Sequence, residues 1–172
     1  MNQLKRGLVW LSRIGHCRGF GVQSPTDYRY VRSVINEHWP YHAYDGVGQD
    51  DDWLRRKLGR LYLRIVNERQ PKVIVDWLNM GDYLSAGCHR AQIVKTAERV
   101  DMAFLPIQLD YQRLFDLCDS ESVVVFQDIH RNKPLWHCIE YDPRTSVTFD
   151  LYYCGIVFFD KKRAKQNYVI NF

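Results

Sequence analysis

The run Val123-Val-Val-Phe-Gln-Asp-Ile-His130 carries an apolar stretch straight into a carboxylate and an imidazole. Asp128 and His130 stand at i and i+2, a spacing that puts two side chains on one face of an extended chain. Histidine titrates near neutrality, so the two residues form a candidate general acid/base pair. The sequence places no nucleophile or second base beside them, and the plainer reading is that both bond to nearby loops. Their position is informative in itself, because ligands of open α/β sheets bind outside the carboxyl ends of parallel strands.

Other residues invite chemistry with less support. His16-Cys17, Cys88-His89 and His137-Cys138 suggest zinc. Neighbouring side chains on a strand point to opposite faces, however, and zinc motifs space their ligands by two or more. Ser85-Ala-Gly-Cys88 has the look of a nucleophile turn, although a small buried thiol accounts for it. Trp39, Tyr41, Tyr44 and Trp53 crowd one stretch. They fit either a stacking platform for an adenine or substrate ring or the packing of a helical cap. Arg56, Arg60 and Arg64 line one side of a helix and read as its solvated face.

The elements that must position these residues follow from periodicity. Leu4, Leu8, Leu11 and Ile14 predict an amphipathic helix over 3–14. Ser24-Pro25-Thr26-Asp27 predicts a helix start, with serine as cap and proline at the first helical position, running to about Asn36. Residues 39–49 read as an aromatic loop. Asp50-Asp51-Asp52 opens a further helix whose core face is Leu54, Leu58, Leu61, Ile65 and Val66, and Pro71 ends it. Strands are predicted over 72–77, 102–105 and 122–127, with helical stretches through about Glu98 and over 109–118 between them. This alternation predicts a mostly parallel sheet. Residues 146–152 and 155–160 predict an antiparallel pair, and 167–172 an edge strand.

The chain of 172 residues is the size of one domain, read here as a helical extension over 1–49 and an α/β core over 50–172. No apolar run approaches the ~20 residues of a membrane helix, so no membrane span is expected. The N-terminus has a basic start but lacks a secretory cleavage pattern. Five cysteines at 17, 88, 118, 138 and 154, with no CxxC, predict reduced thiols and a cytoplasmic protein. Residues 1–32 carry a net charge of +5 and the remainder −1. No nucleic-acid motif accompanies the basic segment, so it reads as a solvated helix and a nucleic-acid partner is not expected.

Four places resemble class I S-adenosylmethionine-dependent methyltransferases, nearest the metal-dependent O-methyltransferase branch and a related bacterial methyltransferase-like family. Gly19-Phe-Gly-Val-Gln-Ser-Pro25 is similar to the bacterial family's G-[IV]-H-S-P-F segment, with Gln23 in place of histidine and Thr26 in place of phenylalanine. Lys57–Ile65 leading into Pro71–Asp76 resembles the helix and first strand before the cofactor loop. Val123–His130 resembles the fifth strand and its D-D-[IV]-H motif. Val147–Phe159 with Tyr168–Phe172 resembles the tail. The resemblance implies a reduced Rossmann-like α/β fold. It also implies S-adenosylmethionine as the cofactor of an active member, with Asp76, Gly81 and Asp82 as the residues nearest it.

The departures from the family are specific. Asp76-Trp-Leu-Asn-Met-Gly-Asp82 holds one glycine, and bulky Trp77 and Leu78 stand where backbone must approach the cofactor. A second strand should deliver an acid to the ribose hydroxyls. The 25 residues between Asp76 and Met102 leave room for one crossover, not for two extra strands. Pro106 and Gln127 stand where the O-methyltransferase branch has metal-binding carboxylates, so no metal is expected. The expectation is a methyltransferase-like protein that has lost turnover. The alternatives are an active methyltransferase acting on a small molecule and a non-enzymatic interaction module. Loss of the second and third strands would bare the flank of the first, which predicts a covering helix or a homodimer through that sheet edge.

Overall fold

The computed structural model describes residues 3–172. Helix α1 (Gln3–Ser12) leads through a 3-10 segment, Ile14–Gly19, to α2 (Pro25–Tyr30), which runs on into a π turn over Val31–Ile35. The Ser24 hydroxyl accepts the Asp27 amide at 3.3 Å and Pro25 opens the helix, as the sequence predicts. Asp27 is buried and pairs with the Arg163 guanidinium and, at 3.2 Å, with the Tyr168 hydroxyl. Helix α3 (Trp53–Arg69) starts at Asp52, whose carboxylate accepts the amides of Leu54 at 2.6 Å and Arg55 at 3.1 Å. It ends at Gln70 in the left-handed region, just before Pro71.

Strands β1 (Val73–Asp76), β2 (Gln92–Val94), β3 (Val100–Pro106), β4 (Cys118–Gln127), β5 (Val147–Asp150), β6 (Cys154–Phe158) and β7 (Gln166–Val169) form one sheet in the order β2-β1-β3-β4-β6-β5-β7. The pairs β1–β2, β1–β3, β3–β4 and β5–β7 are parallel, and β6 runs antiparallel to both β4 and β5. Helix α4 (Gly81–Gly87) follows β1, α5 (Gln112–Asp116) follows β3 and α6 (Lys133–Tyr141) follows β4. Both faces of the sheet are covered, so β4 is apolar on both sides. Val123 and Val125 enter the core beneath α2, α3 and α4, while Val124 and Phe126 enter the core with Trp136 and Ile139 of α6. Trp136 lies so close to β6 that a Cβ on Gly155 would stand 2.2 Å from its Cη2, so only glycine fits there.

Three expectations are corrected here. The helical stretch expected through Glu98 stops at Gly87, and Gln92–Val94 forms β2, parallel to β1. Gly87 lets α4 lie directly on α3, because a Cβ there would stand 2.6 Å from the Leu63 carbonyl oxygen. Cys88 then turns extended, with φ −151° and ψ 99°, which ends α4 and lets the chain return as a strand. The flank of β1 is therefore not bare, and the ground for predicting a covering helix or a dimer at that edge is removed. The helix expected over 109–118 is only the short α5, and α6 forms in a stretch given no element by periodicity.

The arginine row of α3 is not a solvated face. Arg64 is 7% exposed and donates to the carbonyls of Val34 at 2.7 Å and Ile35 at 2.9 Å and to the Tyr44 hydroxyl at 3.0 Å. Arg56 donates to the carbonyls of Gly48, Gln49 and Asp51, and the Arg60 guanidinium lies 4.7 Å from the Tyr44 ring centroid. The last carbonyls of a helix lack intrahelical partners, and Arg64 satisfies those of Val34 and Ile35 at the end of the π turn, while Arg56 satisfies carbonyls of the loop before α3.

Helix α1 has the predicted amphipathic spacing, but it docks by its basic side. Arg13 donates to the carbonyls of Asp150 at 2.9 Å and Ile170 at 3.1 Å and to the Asp150 carboxylate at 2.5 Å, and Arg6 stacks on Trp53 at 4.1 Å. Leu4, Leu8 and Leu11 are more than half exposed. The Asp150 carbonyl already accepts the Ile170 amide at 2.9 Å, and Arg13, just past the end of α1, adds a second donor to it and one to the Ile170 carbonyl, which leucine cannot.

Arg64→Met leaves the Val34 and Ile35 carbonyls without donors. The expected loss is about 3 kcal/mol in urea unfolding, with early proteolytic cleavage within residues 36–49.

Candidate functional site

The strand order reverses at β1, where α4 carries the chain outward to β2 and the next connection returns it to β3 on the other side. Such a switch point is where an open α/β sheet offers its ligand crevice. Asp76, Gly81 and Asp82 all stand there, at the carboxyl end of β1 and the start of α4, as the sequence places them. Their side chains do not open toward a ligand together. Asp76 is buried, and its two carboxylate oxygens accept the amides of Leu78 and Met80, each at 2.8 Å. The Lys95 ammonium, one residue beyond β2, donates to the Asp76 carbonyl at 2.6 Å and to Asn79 Oδ1 at 2.8 Å. Asn79 takes the left-handed conformation, with φ of 54°, that brings Met80 back over the carboxylate.

Gly81 has negative φ and open space where a side chain would be, so neither backbone strain nor close approach requires glycine. Asp82 is exposed in the first turn of α4, and among the described residues it has no hydrogen bond or ion pair. Trp77 is exposed beside Lys95, 5.9 Å from its ammonium. The turn after β1 is thus closed by its own chain: one carboxylate, two amides and one lysine.

The second predicted pair lies at the carboxyl end of β4. Asp128 adopts φ of 64°, its amide donates to the Tyr153 carbonyl at 2.6 Å, and its carboxylate faces Arg131 at 3.7 Å. The His130 ring stacks on Tyr152, centroids 4.7 Å apart and nearly parallel, and meets Tyr153 edge-on at 5.9 Å. His130 and Asp128 are not hydrogen-bonded to each other, and His130 Nδ1 is buried without a partner. Burial pushes the imidazole below its ordinary value, opposed chiefly by the charge of Asp128. His130 borders a 320 Å³ cavity with Arg13, His16, Lys133 and Asp150, which neither Asp76 nor Asp82 lines. The structure therefore separates the two halves of the predicted site.

The positions that the metal-dependent branch gives to carboxylates are otherwise occupied. Pro106 ends β3, and Gln127 Oε1 accepts the buried Tyr62 hydroxyl at 3.1 Å. Among the described residues no group of three or more His, Cys, Asp or Glu side chains is placed to hold a metal ion. Cys88 is buried, with its thiol toward the Pro71 carbonyl, and His137 bonds Glu140 at 2.7 Å.

Sequence reasoning missed Lys95, because β2 shows only Ile93-Val94 as a strand signal. It also treated the aromatic cluster and the arginine row as separate features, although they are two walls of one cavity. The repeated basic residues at 56, 57, 60 and 64 beside an aromatic loop were the available signal. Among the described residues, no helix is long and apolar enough to cross a membrane. Comparison with known proteins finds no matching family model, no matching curated protein and no matching solved structure.

Two outcomes follow from this geometry. Asp76→Ala frees two amides and removes two charge-assisted bonds, so it lowers unfolding stability by about 2–3 kcal/mol, while Asp82→Ala changes it by less than about 0.5 kcal/mol. The depressed His130 makes the unfolded chain the stronger proton binder below its ordinary value of 6.5. Stability is therefore retained above that value and falls as pH drops below it. His130→Phe keeps a ring on Tyr152 and flattens this part of a stability-versus-pH curve measured by urea unfolding.

Proposed function

We propose that this chain is a methyltransferase-like domain, Rossmann-like in lineage, that has given up S-adenosylmethionine and methyl transfer and serves as a non-catalytic binding protein. The observation that carries the reading is the closed turn after β1. In the family the chain resembles, the acid ending the first strand and a glycine-rich turn hold the cofactor. Here both oxygens of Asp76 are bound to Leu78 and Met80, and Trp77 and Leu78 replace bare backbone. The second strand, which should deliver an acid to the ribose, delivers Lys95 to the Asp76 carbonyl instead. The ribose site thus has its charge reversed. The strand order 2-1-3-4 on the amino-terminal side agrees with a doubly wound sheet short of one outer strand.

An active S-adenosylmethionine-dependent enzyme would have to reopen this turn and find a base other than His130, whose partner is an aromatic ring. A homodimer through a sheet edge also has less to stand on than the sequence suggests. β2 covers the flank of β1, its own edge is three residues long, and Lys161, Lys162 and Lys165 precede or flank β7 at the opposite edge. Short edges and lysines are the means by which sheets avoid pairing. A cytoplasmic location agrees with five unpaired thiols.

Titration calorimetry with S-adenosylmethionine and S-adenosylhomocysteine tests the proposal. The expected result is no heat of binding up to millimolar ligand. A micromolar dissociation constant, about −8 kcal/mol, would restore the enzyme reading.

A further inference from the structure

The outer face of α3 and the loop after α2 enclose a cavity of about 460 Å³, apart from the switch point. Its polar lining is almost entirely donors. Arg56, Lys57, Arg60 and Arg64 contribute four cations, and Glu37 is the one acidic side chain in the lining, already accepting the Tyr41 hydroxyl at 2.8 Å. Arg56 and Arg64 spend their donors on backbone carbonyls. Lys57 and Arg60 have no hydrogen bond or ion pair among the described residues. Lys57 is held by the rings of Phe172 at 4.3 Å and Trp53 at 5.2 Å, and Arg60 by Tyr44. Arg60 Nε and Asn36 Nδ2 are buried with nothing to donate to.

Buried donors without acceptors are costly, and a desolvated cation more so. Burial holds the Lys57 ammonium below its ordinary value with no carboxylate to offset it. An anion entering the cavity supplies an acceptor to the Lys57 ammonium and to the outer nitrogens of Arg60, neither of which has one among the described residues. Four cations against one acidic side chain suit a dianion better than a single charge, and a guanidinium fork matches phosphate oxygens. The remaining walls are Trp39, three-quarters exposed at the rim, with Trp53 and Tyr44, flat faces on which a planar ring can stack. The volume suits one mononucleotide-sized molecule.

We propose that this cavity binds a phosphate monoester carrying a planar ring, of the nucleoside monophosphate class, with the phosphate on Lys57 and Arg60 and the ring against Trp39. This site shares no residue with the turn at Asp76, so it stands or falls independently of the loss of S-adenosylmethionine.

The test is titration of the full chain at low salt with adenosine 5′-monophosphate, adenosine and inorganic phosphate, followed by tryptophan fluorescence and calorimetry. The expected result is saturable binding of the monophosphate, at least tenfold weaker binding of adenosine and of phosphate alone, and progressive loss with added salt. Arg60→Gln removes no hydrogen bond of the fold and weakens the monophosphate at least tenfold with an unchanged melting temperature. Trp39→Ala, at an exposed position, weakens it without affecting inorganic phosphate. Asp76→Ala, provided it remains folded, leaves it unchanged. No binding at 10 mM (about −2.7 kcal/mol), or binding that both Arg60→Gln and Trp39→Ala leave intact, overturns the assignment.

Discussion

Helix α3 has to satisfy two surfaces at once, and the rest of the architecture follows from how it does so. Leu58, Leu61, Tyr62 and Ile65 are buried against the sheet. At 3.6 residues per turn, that burial turns Trp53, Arg56, Lys57, Arg60 and Arg64 the other way. Left to water, such a face would merely keep the helix soluble. Here the extension lies over it, and the guanidinium of Arg64 ends buried between Val34, Ile35 and Tyr44. A hydrogen bond to a charged group contributes about 1.5–3 kcal/mol, and an orphaned buried carbonyl costs a similar amount, so the attachment does not depend on apolar burial alone. The same face supplies the cavity in which Lys57 and Arg60 lack acceptors.

The sheet is mostly parallel, with a switch point at β1 whose turn is closed by its own chain. Asp76 explains the closure. A carboxylate at the end of a parallel strand is free to meet a ligand only if the following turn leaves it free. In this chain Asn79 takes positive φ, Met80 swings back, and both oxygens are bound to the chain itself. Lys95 then covers the turn from β2. Glycine at Trp77 or Leu78 would leave space beside that carboxylate. Here the carboxylate is occupied by the Leu78 and Met80 amides, and Trp77 lies exposed beside Lys95.

Much of the fold was legible in the chain because its signals were local. Ser24-Pro25 and Asp52 are helix starts with a mechanism, Pro71 is a stop, and the antiparallel pair around Tyr153-Cys154-Gly155 and the edge strand near Tyr168 follow from apolar runs and their breaks. The site was less legible, because what decides it is long-range. No pattern in the sequence says that Arg64 reaches carbonyls 29 and 30 residues away or that Lys95 returns to Asp76. β2 hid behind two apolar residues, and only the extended backbone at Cys88 shows where α4 stops in time to form it. The amphipathic pattern of α1 was read correctly and its orientation was not available, since the deciding partners are strand-end carbonyls at Asp150 and Ile170. Asp128 and His130 show the same limit: their spacing suggested a pair, and the left-handed backbone at Asp128 separates their roles.

Amide hydrogen exchange at Leu78 and Met80 tests the central claim most directly, because those two amides report whether the Asp76 carboxylate is engaged by its own turn. The account predicts slow exchange, comparable to the strand amides of β1, unchanged by millimolar S-adenosylhomocysteine. Rapid exchange in the free protein that slows when S-adenosylhomocysteine is added would contradict it, since the turn would then be open and closed by ligand.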